Sequence, residues 1–446
     1  MWRKNRSNSQ LAGARFSILD FVLLILKLRV HEWRKAYNMG LNDAPSGERM
    51  CIGFFGVRNA GKSSLVNAVT AQEMSIVDAK LGTTTDPVSK NMELLPLGPV
   101  TIIDTPGIDD EGSLGAKRIE KTHKILETCD IAILVADASR VLSAADKELL
   151  QIFKDKQKPY ILALNKIDLL SEDKINELEQ KENCCLVSAT CGSGIYELKE
   201  HIGKLKDKAR EHERMLVRDL LEAGDIVVLV IPIDSSAPKM RIILPQQMVM
   251  RDCLDAHAIP VCCQPQELAN VLDALQQDPK IVITDSQVFK EVEQIVPSNI
   301  ALTSFSILMA RYKGELDILL QGAQVLQHLT DESKVLICEA CTHHRQCEDI
   351  GTVKIPAWVK ECSGSNPEFN FTSGKDFPQN LEGYDLVIHC GACMITQNEM
   401  HSRIDIAKEN GVQMVNYGIA IAKMNGILTR ALEPFGNSAI QEERAV

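Results

Sequence analysis

The sequence predicts three α/β units in succession, and three observations carry that prediction. A strand, a glycine loop and a helix follow one another from Met50, apolar strands and amphipathic helices alternate twice more downstream, and two late strands each end in cysteines. At 446 residues the chain exceeds one ordinary domain. The expected borders are an N-terminal extension over 1–45 and domains over 46–211, 212–300 and 301–440.

Composition narrows the class. With 45% hydrophobic and 24% charged residues the chain is globular, and its net charge of −11 argues against a broad nucleic-acid surface. Fourteen cysteines in a chain this long do not form a small secreted disulfide scaffold. Several, such as Cys51, Cys129 and Cys253, sit inside apolar elements, as buried reduced thiols do. The reading is a cytoplasmic protein, or an organellar one if residues 1–38 are a presequence. That segment carries eight Lys and Arg against two acids around Phe21–Leu26, an apolar run too short to span a bilayer. It reads most simply as an upstream extension, with Met39 as the effective start.

From Met50 the first unit runs Cys51-Ile52-Gly53-Phe54-Phe55, then Gly56-Val57-Arg58-Asn59-Ala60-Gly61-Lys62-Ser63, then Ser64-Leu65-Val66. This is G-x-x-x-x-G-K-S between a strand and a helix. Its glycines let backbone N–H groups turn inward around phosphates, the helix N-terminus favours an anion, Lys62 reaches the β and γ phosphates, and Ser63 offers a hydroxyl to Mg²⁺. Gly56, Asn59, Ala60, Gly61, Lys62, Ser63 and Ser64 are therefore assigned to the nucleotide.

Three further stations follow in order. A strand over 100–103 ends in Asp104-Thr105-Pro106-Gly107, where Asp104 would hold Mg²⁺ through water and the Gly107 N–H would sense the γ phosphate. The strand over 161–164 leads to Asn165-Lys166-Ile167-Asp168. The Asp168 carboxylate can accept from both guanine donors, N1 and N2, a pair that adenine lacks. Leu186-Val187 then enters Ser188-Ala189-Thr190, placed to touch the base from its other side. The nucleotide is read as GTP.

Residues 50 to about 205 thus resemble a small GTPase of the TrmE/Era class. Gly82-Thr83-Thr84-Thr85-Asp86 resembles that class's first switch, which makes Thr84 the second Mg²⁺ hydroxyl. Lys62 and Thr84 are then the expected stabilisers of the phosphates and Mg²⁺ in the transition state. Asn59 resembles the asparagine that binds K⁺ in the potassium-activated members, where a monovalent cation does the work of an arginine finger. Ile108 stands where a water-positioning glutamine would be, so the catalytic residue is not visible.

Beyond a charged helical connector over 203–213, strands and helices between 226 and 283 read as a small parallel sheet. Asp252, Asp255 and His257 read there as a solvated helix face, and Cys262-Cys263 as core. In the last block, Val335-Leu336-Ile337 leads to Cys338, Cys341 and His343, and Leu386-Val387-Ile388 leads to His389, Cys390 and Cys393, with a loop over 363–380 between them. Both clusters leave strand carboxyl ends, the edge where open α/β sheets bind ligands. Two ligand sets fit: Cys338, Cys341, Cys390 and Cys393 around zinc, or Cys341, Cys390 and Cys393 on a 4Fe–4S cluster with one exchangeable iron position.

Cys341-x-His343, then His389-Cys390-x-x-Cys393, together with Gly40–Arg49 and Gly82–Pro99, resembles the FeFe-hydrogenase maturation GTPases, the HydF family. The resemblance implies an α/β fold: a P-loop GTPase domain followed by two smaller α/β domains, a dimerisation domain and one carrying an iron–sulfur cluster. It implies a 4Fe–4S cluster on Cys341, Cys390 and Cys393, with His343 or His389 as an exchangeable ligand. It further implies a homodimeric scaffold that takes a transient diiron precursor from two radical-SAM maturases (HydE, HydG) and delivers it to the hydrogenase apoprotein, with no nucleic acid or membrane partner. Cys338 and Cys347 are extra to that pattern. The alternative is a TrmE/Era-like GTPase of tRNA modification or ribosome assembly with a structural zinc site; the chain has no G-x-x-G nucleic-acid module and no basic tail domain to support it.

Overall fold

Each apolar run predicted as a strand enters one of three separate sheets. The computed structural model describes residues 46–70, 88–95, 97–105, 122, 125–178, 184–210, 215–233, 242–340, 350–374 and 377–436. Thr84, Gly107, Cys341, His343, Cys347 and the extension over 1–45 lie outside the described residues.

The first sheet holds β1 (Met50–Phe55), β2 (Val88–Leu94), β3 (Gly98–Asp104), β4 (Ile131–Asp137), β5 (Tyr160–Asn165) and β6 (Cys184–Leu186) in the order β2-β3-β1-β4-β5-β6. All pairs are parallel except β2 with β3. Among the described residues its helices include α1 (Lys62–Thr70), α2 (Ala144–Asp155), α3 (Glu172–Leu178) and α4 (Ile195–Arg210). A parallel sheet needs crossovers that cover it, and β4 reads accordingly as an unbroken apolar run, buried from Ile131 to Ala136. Ser143 starts α2 through a capping box with Asp146, the acid three positions on.

The second sheet is wholly parallel, in the order β10-β9-β7-β8, from β7 (Ile226–Val230), β8 (Ile259–Cys263), β9 (Ile281–Thr284) and β10 (Ala301–Ser304). Helices α5 (Leu244–Asp255), α6 (Leu268–Ala274) and α7 (Phe289–Ile295) connect its strands. Two sequence expectations change here. Ala301–Ser304 falls in the last block by the expected borders, but its backbone pairs with β9, so the middle sheet continues past 300. Cys262, expected in the core, is exposed, because β8 is bonded only to β7 and forms the sheet's outer edge. Asp252 does more than face solvent: its carboxylate accepts from the N–H groups of Val217 at 2.8 Å and Arg218 at 2.9 Å, fixing the entry into the domain.

Helices α8 (Phe305–Lys313) and α9 (Leu316–Val325) lead into the third sheet, parallel throughout, in the order β12-β11-β13-β14. It consists of β11 (Lys334–Glu339), β12 (Glu368–Ser373), β13 (Leu386–His389) and β14 (Gln413–Asn416), with α10 (Ile355–Ser363), α11 (Gln397–Glu409), α12 (Tyr417–Met424) and α13 (Leu428–Leu432). The stretch read as a loop over 363–380 contains β12: Phe369 and Phe371 alternate with polar residues as an edge strand requires. Pro45–Val446 form one compact unit.

Asp252→Ala leaves two backbone donors without their carboxylate and should lower the stability of the middle domain by about 1–3 kcal/mol. A thermal melt should show a lower midpoint for the variant.

Candidate functional site

The nucleotide site is assembled at the carboxyl ends of β1, β3 and β5. Gly56 leaves β1 with φ +141°, and a Cβ there would meet the Val135 carbonyl at 2.2 Å; at Gly61, φ +90°, it would meet the Asn165 amide at the same distance. Neither position accepts a side chain. Asn59 takes φ +62°, a left-handed conformation that asparagine tolerates among non-glycine residues, and is exposed. Lys62 Nζ donates to the carbonyls of Gly56 (2.9 Å) and Val57 (2.8 Å), so the ammonium stands over the loop that would cradle the phosphates. Ser63 Oγ donates to Asp104 Oδ2 at 2.6 Å, which brings together the two oxygen ligands expected for Mg²⁺.

The structure gives Asn165 and Lys166 a further task. Asn165 Nδ2 donates to the Ala60 carbonyl (3.1 Å) and its Oδ1 accepts from Ala189 N–H (3.0 Å), riveting the phosphate loop to the base-binding loop. Lys166 Nζ donates to the Asn59 carbonyl (2.8 Å) and to Asp137 Oδ2 (2.7 Å). Burial works to raise the Asp137 carboxyl, but hydrogen bonds from Lys166 and Ser139 hold it below its usual range, so the clamp stays ionised. Asp168 is exposed, and Ser188, fully buried, donates its hydroxyl to the carboxylate. That bond aims Asp168 at a base without masking it. Ala189 and Thr190 continue the same loop, and Ser64 lies in the first turn of α1.

The cysteine site lies at the corresponding edge of the third sheet. Strands β11 and β13 are neighbours, with Cys338 in register with His389. Cys390 N–H donates to the Cys338 carbonyl (2.9 Å), and Ala340 N–H points at Cys390 Sγ (3.1 Å). Ala340 is the residue before Cys341. Ala392, at φ +56°, turns the chain so that Cys393 follows within the same loop, and Thr396 then caps α11. Backbone N–H groups aimed at sulfur fit thiolates that carry an iron–sulfur cluster, whose properties depend on such bonds. Among the described residues no three His, Cys, Asp or Glu side chains converge as a metal site.

His389 has both ring nitrogens engaged. Its Nδ1 donates to the Cys390 carbonyl (2.8 Å) and its Nε2 accepts from Arg403 Nη1 (3.0 Å). Burial, then the Arg403 charge, push its pKa down to about 3, so the ring is neutral with both nitrogens engaged. Acting as an iron ligand would require it to release one of these bonds. Arg403, itself buried on α11, also bonds Glu399 and the Gly374 carbonyl and lies over the Phe377 ring. Cys338 is fully buried in the apolar core, which raises its thiol strongly. Sequence reasoning missed Arg403, Glu399 and the clamp roles of Asn165 and Lys166, because each acts on residues brought near only by the fold.

Fold and site define a P-loop GTPase domain joined to two further α/β domains. Family models match in the same order: a 50S ribosome-binding GTPase over 51–166, the hydrogen maturase F dimerization domain over 216–314 and the hydrogen maturase F tetramerization domain over 317–434. The chain belongs to the hydrogen maturase F family.

Curated relatives match less of it. The tRNA modification GTPase MnmE of Acetivibrio thermocellus is 31% identical over 207 residues, 45% of this chain and 44% of that protein. GTPase Der of Wolinella succinogenes is 34% identical over 179 residues, 38% and 36% of the two chains. The chain thus spans less than half the length of these relatives. Among solved structures, Aquifex aeolicus Era bound to GDP.AlF4- is 24% identical, covers 50% of this chain and 89% of its own, and superposes with a TM-score of 0.32.

Asp168→Asn replaces an acceptor pair with one acceptor and one donor. GTP affinity should fall by about 100-fold or more, and affinity for xanthosine triphosphate, whose C2 carbonyl can accept from the new amide, should rise. Equilibrium binding of the two nucleotides checks both.

Proposed function

We propose that this chain is a GTP-hydrolysing scaffold and carrier for FeFe-hydrogenase maturation, which receives a diiron precursor and passes it to the apo-hydrogenase. The observation that carries the reading is the edge described above: Cys390 and Cys393 in one loop, with the Ala340 N–H on the Cys390 sulfur and Cys341 next in the chain. Membership of the hydrogen maturase F family supports it, as does the burial of Cys338 in the core, which leaves the four-thiolate zinc set short of a ligand.

In this reading Cys341, Cys390 and Cys393 hold a 4Fe–4S cluster, which supplies an iron with an exchangeable position for cargo. The protein's own residues do the rest. The Ala340 N–H favours the thiolate form of Cys390, and the His389–Arg403 pair fixes the carbonyl that starts the turn. His343 is then the nearer candidate for the exchangeable position, since His389 is engaged at both nitrogens. At the other site Lys62, Ser63, Asp104 and Thr84 bind the phosphates and Mg²⁺, Asp168 reads guanine, and Asn59 contributes to a K⁺ site. Loss of the γ phosphate would release Thr84 and Gly107 and reorder the switches. The radical-SAM maturases and the hydrogenase are the partners that would read this change, and the two oligomerization domains fit a scaffold built from several copies.

Protein purified without oxygen should contain about four irons and four sulfides per chain. Cys393→Ser should lose them while retaining GTP hydrolysis; one zinc without sulfide would overturn the cluster reading. GTP turnover should fall on the order of tenfold to a hundredfold when K⁺ is replaced by Na⁺, and Asn59→Ala should abolish that difference. Steady-state phosphate release in the two salts is the measurement.

A further inference from the structure

The cysteine loop is tied to parts of the molecule that the proposed chemistry does not use. On one side, Lys313, the last residue of α8, donates to the Gly47 carbonyl (2.7 Å) and the Ile395 carbonyl (3.0 Å) and pairs with Glu48 at 2.6 Å. Tyr312 donates to the same Glu48 carboxylate at 2.7 Å. A Cβ on Gly47 would lie 2.6 Å from the carbonyls of both Cys393 and Ile395, so the segment entering β1 rests directly on the cysteine loop. On the other side, Asn398 in the first turn of α11 donates to Asp130 Oδ1 (2.5 Å) and to the Cys129 carbonyl (3.2 Å). Asp130 Oδ2 in turn accepts from the Cys51 N–H (2.7 Å). Residues from all three domains meet here.

We propose that Lys313 and Asn398 are positioning residues for the Cys390–Cys393 loop, fixing it to the edge of the GTPase sheet that lies away from the nucleotide. Glu48 lies two residues before β1 and Asp130 directly precedes β4, whereas Gly56 and Asp137 end the nucleotide side of the same strands. Six or seven residues of strand, roughly 20 Å, separate the two edges. The cysteine loop is therefore mounted on the end of the GTPase sheet opposite the nucleotide, with further bonds from Thr396 to the Thr128 carbonyl and from Ser402 to Glu127. Lys313 is 2% exposed in its side chain, so its charge acts in a poorly screened setting. One cation thus bonds the cysteine loop and the segment entering the GTPase sheet together.

The test uses the full chain as purified, with Lys313→Met, Asn398→Ala and Gly47→Ala. Amide hydrogen exchange over residues 390–400 should rise about tenfold in each, with strands β4 and β9 unchanged and GTP hydrolysis at the parent level. Exchange that stays at the parent value in Asn398→Ala, or rises only with the whole chain in all three variants, overturns the proposal. A second readout separates charge from mere support: in protein carrying iron, Lys313→Met should make the reduction potential more negative, and Asn398→Ala should leave it in place. An unchanged potential in Lys313→Met removes its electrostatic role. Although the potential depends on the cluster assigned above, the exchange measurement does not, so failure of either idea is recognised without the other.

Discussion

Parallel strand pairing is the constraint from which the placement of chemistry in this chain follows. A parallel sheet cannot be closed by tight hairpins; its crossovers lay helices over it, so the strands become apolar on both faces. Polar and reactive groups are then left to the strand ends. In the first sheet the carboxyl ends present Gly56, Asp104, Asp137 and Asn165, and in the third they present Ala340, Cys390 and the capping Asn416. The middle sheet is used differently: Thr303, on its outer strand β10, donates to the Ala431 carbonyl (2.9 Å), and Arg430 bonds the carbonyls of Glu293 and Val296 at the end of α7, so this side of the sheet is joined to the third domain.

This division explains what could be read in the sequence. The phosphate loop was legible because its chemistry is local: a strand, two obligatory glycines, a lysine and a serine lie within the fourteen positions from Met50 to Ser63, and spacing alone implies the geometry. The Cys-x-x-Cys was legible for the same reason. The clamps were not. Asn165 meets Ala60 across 105 positions and Lys166 meets Asn59 across 107, and nothing in a stretch of sequence marks such a pairing. Strand β12 was hidden by the Ser, Gly, Asn and Pro before it, which mark a turn but not where it ends. The outer position of β8 was hidden too, since strand order is a property of the sheet and an apolar edge strand looks like an apolar central one.

His389 shows how the fold can occupy a residue that a motif offers. A histidine beside a cysteine reads as a metal ligand, because imidazole and thiolate share that use. Here its nitrogens are occupied by the Cys390 carbonyl and by Arg403, and a buried imidazole beside a guanidinium is held neutral. Arg403 lies on a helix whose neighbours are charged, a pattern that suggests a solvated face. It is nevertheless buried, and Glu399, one turn earlier, supplies the counter-charge at 2.8 Å.

The two buried cations are best understood together. Placing Lys313 and Arg403 out of water is unfavourable unless each finds an anion and fills its remaining hydrogen bonds, and each does so, with Glu48 and Glu399 respectively. Burial raises both cysteines, while Arg403 acts to lower Cys390 and Lys313 to lower Cys393. The same two cations hold the turn from either side: Lys313 bonds the Ile395 carbonyl just past Cys393, and Arg403 bonds the His389 ring that in turn bonds the Cys390 carbonyl.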